Sequence, residues 1–224
     1  MKIGIIGAMD VEVSSLIEQS QVVEVKEIAG LKFYVLNYKG KDIYLVKSGI
    51  GKVNAAIATS ILCLHYDVEL VISTGIAGGM SPLKTGDICL VDKLYYGDVN
   101  CQVFNYAFGQ VPGEEPYFRV SKGVLNKASD ILKNNNYKFH IINSLTSDSF
   151  ISSMPKLPLD STFCFEMEST AITQTARHFN KEVLVIRYIS DIVGEESQIL
   201  NYTEFETNMA KTSSLITLKI VENL

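Results

Sequence analysis

The 224-residue sequence predicts a single α/β domain, 1–224, built on a mixed central sheet covered by helices on both faces. Three observations predict it. Apolar, β-rich runs alternate with amphipathic helical stretches from end to end, as buried strands between helices require. A three-strand meander comes early, which argues against a purely parallel, doubly wound order. Hydrophobic residues make up 47% of the chain and charged ones 20%, so a core can form and nothing reads as disordered. No repeat, low-complexity stretch or linker divides the chain.

The elements follow in order. Lys2–Ile6 reads as a buried strand and Asp10–Glu18 as a helix with acidic residues in its first turn. Residues 22–27, 32–38 and 42–47 form the meander, with turn chemistry around Asn37–Gly40. Val53–Tyr66 has helical spacing and is rich in alanine. Leu70–Thr74 is a short strand that ends in glycines, and Gly86–Val91 is another. Gly123–Lys133 reads as a helix. Phe139–Asn143, Phe163–Glu166 and Val183–Ile189 read as strands, and Ser169–Phe179 and Thr203–Glu222 as helices.

A net charge of −5 disfavours a nucleic-acid partner, which requires a basic surface, and suits a small uncharged or cationic ligand. Cys63, Cys89, Cys101 and Cys164 form no CxxC pair, so no zinc site is expected. Three of them lie in apolar runs, where a free thiol packs as a small hydrophobe, as suits a reducing cytosol. The apolar stretch after Met1 is too short for a signal segment. No run approaches the ~20 apolar residues of a membrane span, so a cytoplasmic location with no membrane partner is expected.

Five stretches carry candidate chemistry. GAMDVEV (7–13) follows the first strand, where ligands gather in such sheets, although Asp10 and Glu12 also suit a helix start. SGIGKVNAA (48–56) and STGIAGGM (73–80) bring backbone close to a ligand through glycine, or simply turn. Neither loop has an arginine, and Lys52 and Lys84 are the nearest cations, which argues against a bound phosphate. In CFEMESTA (164–171), Glu166 and Glu168 are expected to face opposite sides, one into a cleft and the other capping or meeting solvent. VLVIRYISD (183–191) is the most informative. It buries Arg187, which calls for carboxylate partners, with Glu12 and Glu168 the candidates. Asp191 ends that strand where a catalytic acid belongs, or caps a helix. His65, His140 and His178 suggest no catalytic set.

Taken together, GIIGAMDVEV, SGIGKVNAA, STGIAGGM, FNYAFGQVPG, DSFI, EMESTA and RYISD resemble, in order and spacing, the bacterial 5'-methylthioadenosine/S-adenosylhomocysteine nucleosidases. The similarity runs from Lys2 to about Ser214. It implies a three-layer, phosphorylase/hydrolase-like α/β fold, a homodimer, no metal or organic cofactor, and an adenine nucleoside as substrate. By position, it implies that Glu12 activates the attacking water with Arg187 helping to hold both. Asp191, helped by Ser190, would protonate adenine N7. Glu168 would bind the ribose hydroxyls above Met167, Phe150 would stack on the purine, and the Ile151 backbone would read its edge. Gly78, Ile50 and Tyr202 would contact substrate, and Phe104, in the 104–113 loop, would close the partner's 5'-thio pocket. Two carboxylates on opposite sides of a sugar are what inverting glycoside hydrolysis requires.

The chain departs from the family pattern at Ile76, where serine is usual, at Ser147, where glycine is usual, and at Gly97 and Asn100. The competing expectations are a nucleosidase for another adenine nucleoside (aminodeoxyfutalosine or 5'-deoxyadenosine), a phosphate-dependent purine nucleoside phosphorylase, and a non-catalytic nucleoside-binding protein.

Overall fold

Five apolar or glycine positions form β1 (Ile3–Gly7), and all five are buried, the mark of a strand covered on both faces. The structure is a computed structural model that describes every residue except 156, 158, 159 and 209. β1 runs parallel to β4 (Lys41–Lys47) on one side and to β5 (Leu70–Gly79) on the other. β3 (Leu31–Tyr38) and β2 (Gln21–Ile28) follow β4 in antiparallel pairing, so the expected meander forms an outer wing.

Beyond β5 the sheet closes on itself. β5 pairs with both β9 (Phe163–Glu166) and β10 (Glu182–Ile192). β10 meets β6 (Ile88–Tyr96), β6 meets β8 (His140–Thr146), and β8 returns to β9. These five strands form a ring from which β1, β4, β3 and β2 extend, and the short β7 (Phe118–Arg119) adds to β6. Parallel and antiparallel pairs coexist, so the sheet is mixed as expected.

The helices cover this sheet. α1 (Asp10–Glu18) packs with α6 (Ala210–Asn223), and α2 (Lys52–His65) packs with α4 (Ser169–His178). α3 (Lys122–Asn134) turns Val124, Leu125, Ala128 and Leu132 inward at helical spacing. α5 (Gln198–Asn208) lies against β10. A small second apolar cluster, Tyr95, Leu145, Phe163, Phe165 and Val193, sits apart from the main core.

Several expected boundaries are corrected, among them that of β6, which runs past Val91 to Tyr96. β5 does not stop at Thr74 but runs through its glycines to Gly79. These strand positions are glycine because a Cβ would overlap Glu12 at Gly75 and Ile189 at Gly79 and would crowd Asp191 at Gly78. The helix expected over 203–222 begins earlier, at Gln198, and is described as α5 and α6, with residue 209 outside the described residues. Among the described residues, no helix is long and apolar enough to cross a membrane.

Candidate active site

The carboxyl ends of β1, β5 and β10 open onto one cleft, and each delivers part of it. Gly7 ends β1, and the chain enters α1 so that Glu12 falls in the first turn. Its carboxylate is held by backbone alone: Oε2 accepts from Ala8 N (2.6 Å) and Met9 N (3.0 Å), and Oε1 accepts from Ile76 N (3.0 Å). A carboxylate has about four acceptor sites, so one remains, on Oε1. Burial pushes the Glu12 carboxyl above its ordinary range, against the opposing pull of Arg187 and the three amides. Such a carboxylate is a better base than a solvated one.

Asp191 comes from the end of β10, where a bulge between Ile189 and Asp191 shifts the register against β5. Bulges re-aim side chains next to functional sites. Asp191 is 1% exposed. Its Oδ1 accepts from Ser190 Oγ (2.5 Å), and its Oδ2 accepts from Gln198 Nε2 (2.8 Å). Ser190 Oγ also approaches the Ala77 carbonyl (3.2 Å), which ties the pair to β5.

Neither Glu166 nor Glu168 meets solvent, since both are buried. Glu168 faces the cleft, and Glu166 takes the capping alternative by accepting from the amides of Glu168 and Ser169 at the start of α4. β9 ends at Glu166, so strand alternation no longer applies at Glu168, which is the N-cap of α4. Glu168 accepts from Gly51 N (2.9 Å). Burial, reinforced by the nearby Glu166 charge, raises its carboxyl to about 7.

Arg187 pairs with Glu166 (2.9 Å), and not with Glu12 or Glu168 as the sequence suggested. Its guanidinium also donates to Ser73 Oγ (2.9 Å), Ser169 Oγ (2.7 Å) and the Ile186 carbonyl (2.9 Å). Glu166 further accepts from the hydroxyls of Ser144, Thr146 and Ser169 and the amides of Glu168 and Ser169. Burial alone would raise the Glu166 carboxyl, but Arg187 and these donors outweigh it and hold it below the usual range. Glu166 was missed as a partner because it is hidden in an apolar strand. The cue was there, since a buried arginine needs a carboxylate equally buried.

Glu12, Ser190, Asp191, Gly78, Phe150, Ile151, Met167, Glu168, Ile50 and Tyr202 line the cleft together. Arg187 lies behind it on a small adjoining cavity shared with Glu12, Ser73 and Glu168. Its Nε, which is buried, has no partner among the described residues. Phe104 does not line the cleft and is 73% exposed. Among the described residues, no lysine or arginine lines the cleft itself. Gln198, which lines it, was not anticipated. No group of three or more His, Cys, Asp or Glu among the described residues is placed to hold a metal. The departures at 97 and 147 are linked, because a Cβ on Gly97 would overlap Ser147 Oγ and crowd Leu145.

This fold and this site define a member of the phosphorylase superfamily, whose family model matches residues 2–222. A 5'-methylthioadenosine/S-adenosylhomocysteine nucleosidase from Listeria welshimeri is 39% identical over the full length of both chains. An S-adenosylhomocysteine nucleosidase from Streptococcus pyogenes, solved with 5-methylthiotubericidin, superposes with a TM-score of 0.93 at 30% identity, covering 100% of this chain and 97% of the other. The futalosine hydrolase of Helicobacter pylori shares the fold, with a TM-score of 0.93 at 24% identity over 100% of this chain and 98% of its own. The chain belongs to the 5'-methylthioadenosine/S-adenosylhomocysteine nucleosidase family.

Proposed function

We propose that this enzyme hydrolyses the N-glycosidic bond of 5'-methylthioadenosine and S-adenosylhomocysteine, releasing adenine and the 5-thioribose product. The observation that carries this reading is a cleft with two differently held carboxylates, Glu12 on backbone amides and Asp191 on Ser190 and Gln198, with no cation lining it among the described residues. A phosphate nucleophile would meet the Glu12 carboxylate, and among the described residues the guanidinium behind the cleft, Arg187, is already paired with Glu166. A water fits the open acceptor site on Glu12.

In this mechanism the water donates to Glu12 Oε1 and attacks the anomeric carbon as the bond to adenine breaks. Asp191, oriented by Ser190, delivers a proton to N7 so that the base leaves neutral. Acid work near neutral pH requires surroundings that favour the protonated carboxyl, or a proton relay. Glu168 holds the ribose hydroxyls, with Met167 beneath the sugar. Phe150 stacks on the purine, the Ile151 backbone reads its edge and Gly78 lets it approach β5. Ile50 and Tyr202 line the 5' end. Ile76 supplies its backbone amide to Glu12, but it lacks the hydroxyl that serine would add near the water.

The active form in this reading is a cytoplasmic homodimer in which the 104–113 loop closes the partner's site. Ile50, Val53, Ile57, Leu64, Val103 and Phe104 are exposed apolar side chains, more than a monomer keeps in water without use. Phe108 instead packs on the small cluster of its own chain, so only part of the loop is free to reach outward. Free adenine should appear from both thio-nucleosides equally with and without phosphate. Phosphate-dependent release would make the enzyme a phosphorylase, and binding without release would make it a nucleoside-binding protein.

A further inference from the structure

Gln198 sits on the first turn of α5, is 4% exposed and faces the cleft. Its amide nitrogen donates to two acceptors at once, Asp191 Oδ2 (2.8 Å) and the Ile151 carbonyl (2.9 Å). Its amide oxygen accepts from Gly194 N (3.1 Å), at a positive-φ glycine just after β10. Both of its hydrogens are therefore spent on the two groups that the proposed mechanism assigns to the adenine edge. A planar nitrogen carrying two hydrogens is also what a 6-aminopurine presents, beside the N7 that receives the proton.

We infer that Gln198 is an internal stand-in for the purine edge. It occupies the adenine-reading groups and must withdraw for substrate to bind. The inference rests on the nucleosidase reading and deepens it. Two bulky donors cannot share one position between Asp191 Oδ2 and the Ile151 carbonyl, so adenine and the Gln198 amide exclude each other. The device keeps two buried acceptors satisfied between turnovers, where an unmade bond is costly. It also competes with the product adenine for the same acceptors. Tyr202 lies one turn further along the same helix, lines the cleft and packs edge-on against Phe150 at 5.6 Å. Withdrawal of Gln198 by a shift of the first turn of α5 therefore moves Tyr202 off Phe150 as well, freeing the ring to stack.

The test is adenine affinity, read by calorimetry on wild type, Gln198→Ala and Gln198→Met. Removing the competitor should tighten adenine binding by about tenfold in Gln198→Ala, the scale of a net hydrogen bond or so. Gln198→Met keeps the bulk without the donors and should tighten it in the same direction by less. It also stands as the readout if the alanine variant does not fold. Equal or weaker adenine binding in the folded variants would overturn the inference and make Gln198 a fixed ligand or a packing residue. Absence of adenine binding in wild type and in both folded variants alike would overturn the nucleosidase reading along with it.

Discussion

Asp191 and Glu12 are both buried carboxylates held by donors of different kind, side chains for the one and backbone amides for the other, and the proposed mechanism gives them different roles. Asp191→Asn keeps the size of the side chain and an acceptor for Ser190 while removing the transferable proton. Substrate should still bind, and adenine release should fall by about 10²–10⁴-fold. A loss below about tenfold would remove Asp191 from acid catalysis. Glu12→Gln should likewise spare binding and slow turnover, because its amide cannot take the proton of the water. Glu168 makes a different prediction, about pH. Its folded value of about 7 lies above the ordinary 4.5, so across that window the folded chain holds a proton that the unfolded chain releases. Its contribution to stability therefore falls as pH rises through the window and levels off above it. Glu168→Gln should melt several degrees above wild type at pH 8, with the gap closing towards pH 5, while losing activity through the ribose contact proposed for it. A gap independent of pH would mean that Glu168 is not held in this way.

At the level of elements, β5 is the strand on which the site depends. Gly75 stands where a side chain would press on the Glu12 carboxylate, so Gly75→Ala should displace it. Overpacking of this kind costs about 1–3 kcal/mol of stability. A misplaced base should lower kcat on the order of 10²-fold. Denaturant titration and turnover on one preparation check both, and an active, equally stable variant would refute the argument. This strand also shows what the sequence could reveal. The bounds of α1 and β9 were legible to the residue, because acidic residues open the one and an apolar run bounded by a polar pair forms the other. The glycines of β5 read as a loop because local propensity cannot register a carboxylate approaching from another strand. The same blindness to distant partners hid the Glu166–Arg187 pair and the early start of α5. The catalytic candidates were legible through their order along the chain. Gln198 was not, because a lone glutamine has no local signature.

At the scale of the whole molecule, the exposed Phe104 and the exposed apolar side chains of α2 are the patches that the proposed two-fold assembly would bury twice. Light scattering should find a dimer whose proportion does not change across micromolar concentrations. Phe104→Ala should raise KM for bulky 5'-thio substrates more than for adenosine, since only the former reach the loop. An active monomer, or an equal effect on both substrates, would exclude the shared site. The ring of strands carries a different consequence, for synthesis. Val71 and Val183 are partners across its closing seam, and Gly78 faces Asp191 along the same seam. The meander and β1 pair among near neighbours in sequence, so they can form early on the ribosome, whereas a seam between distant segments must wait for its second strand. A nascent chain that has not yet released β10 holds Glu12 but lacks Asp191, the proposed acid, and the closed ring. Ribosome-bound intermediates are then incapable of cleaving a nucleoside, and activity should emerge in a single step when the final strand and its helices clear the exit tunnel.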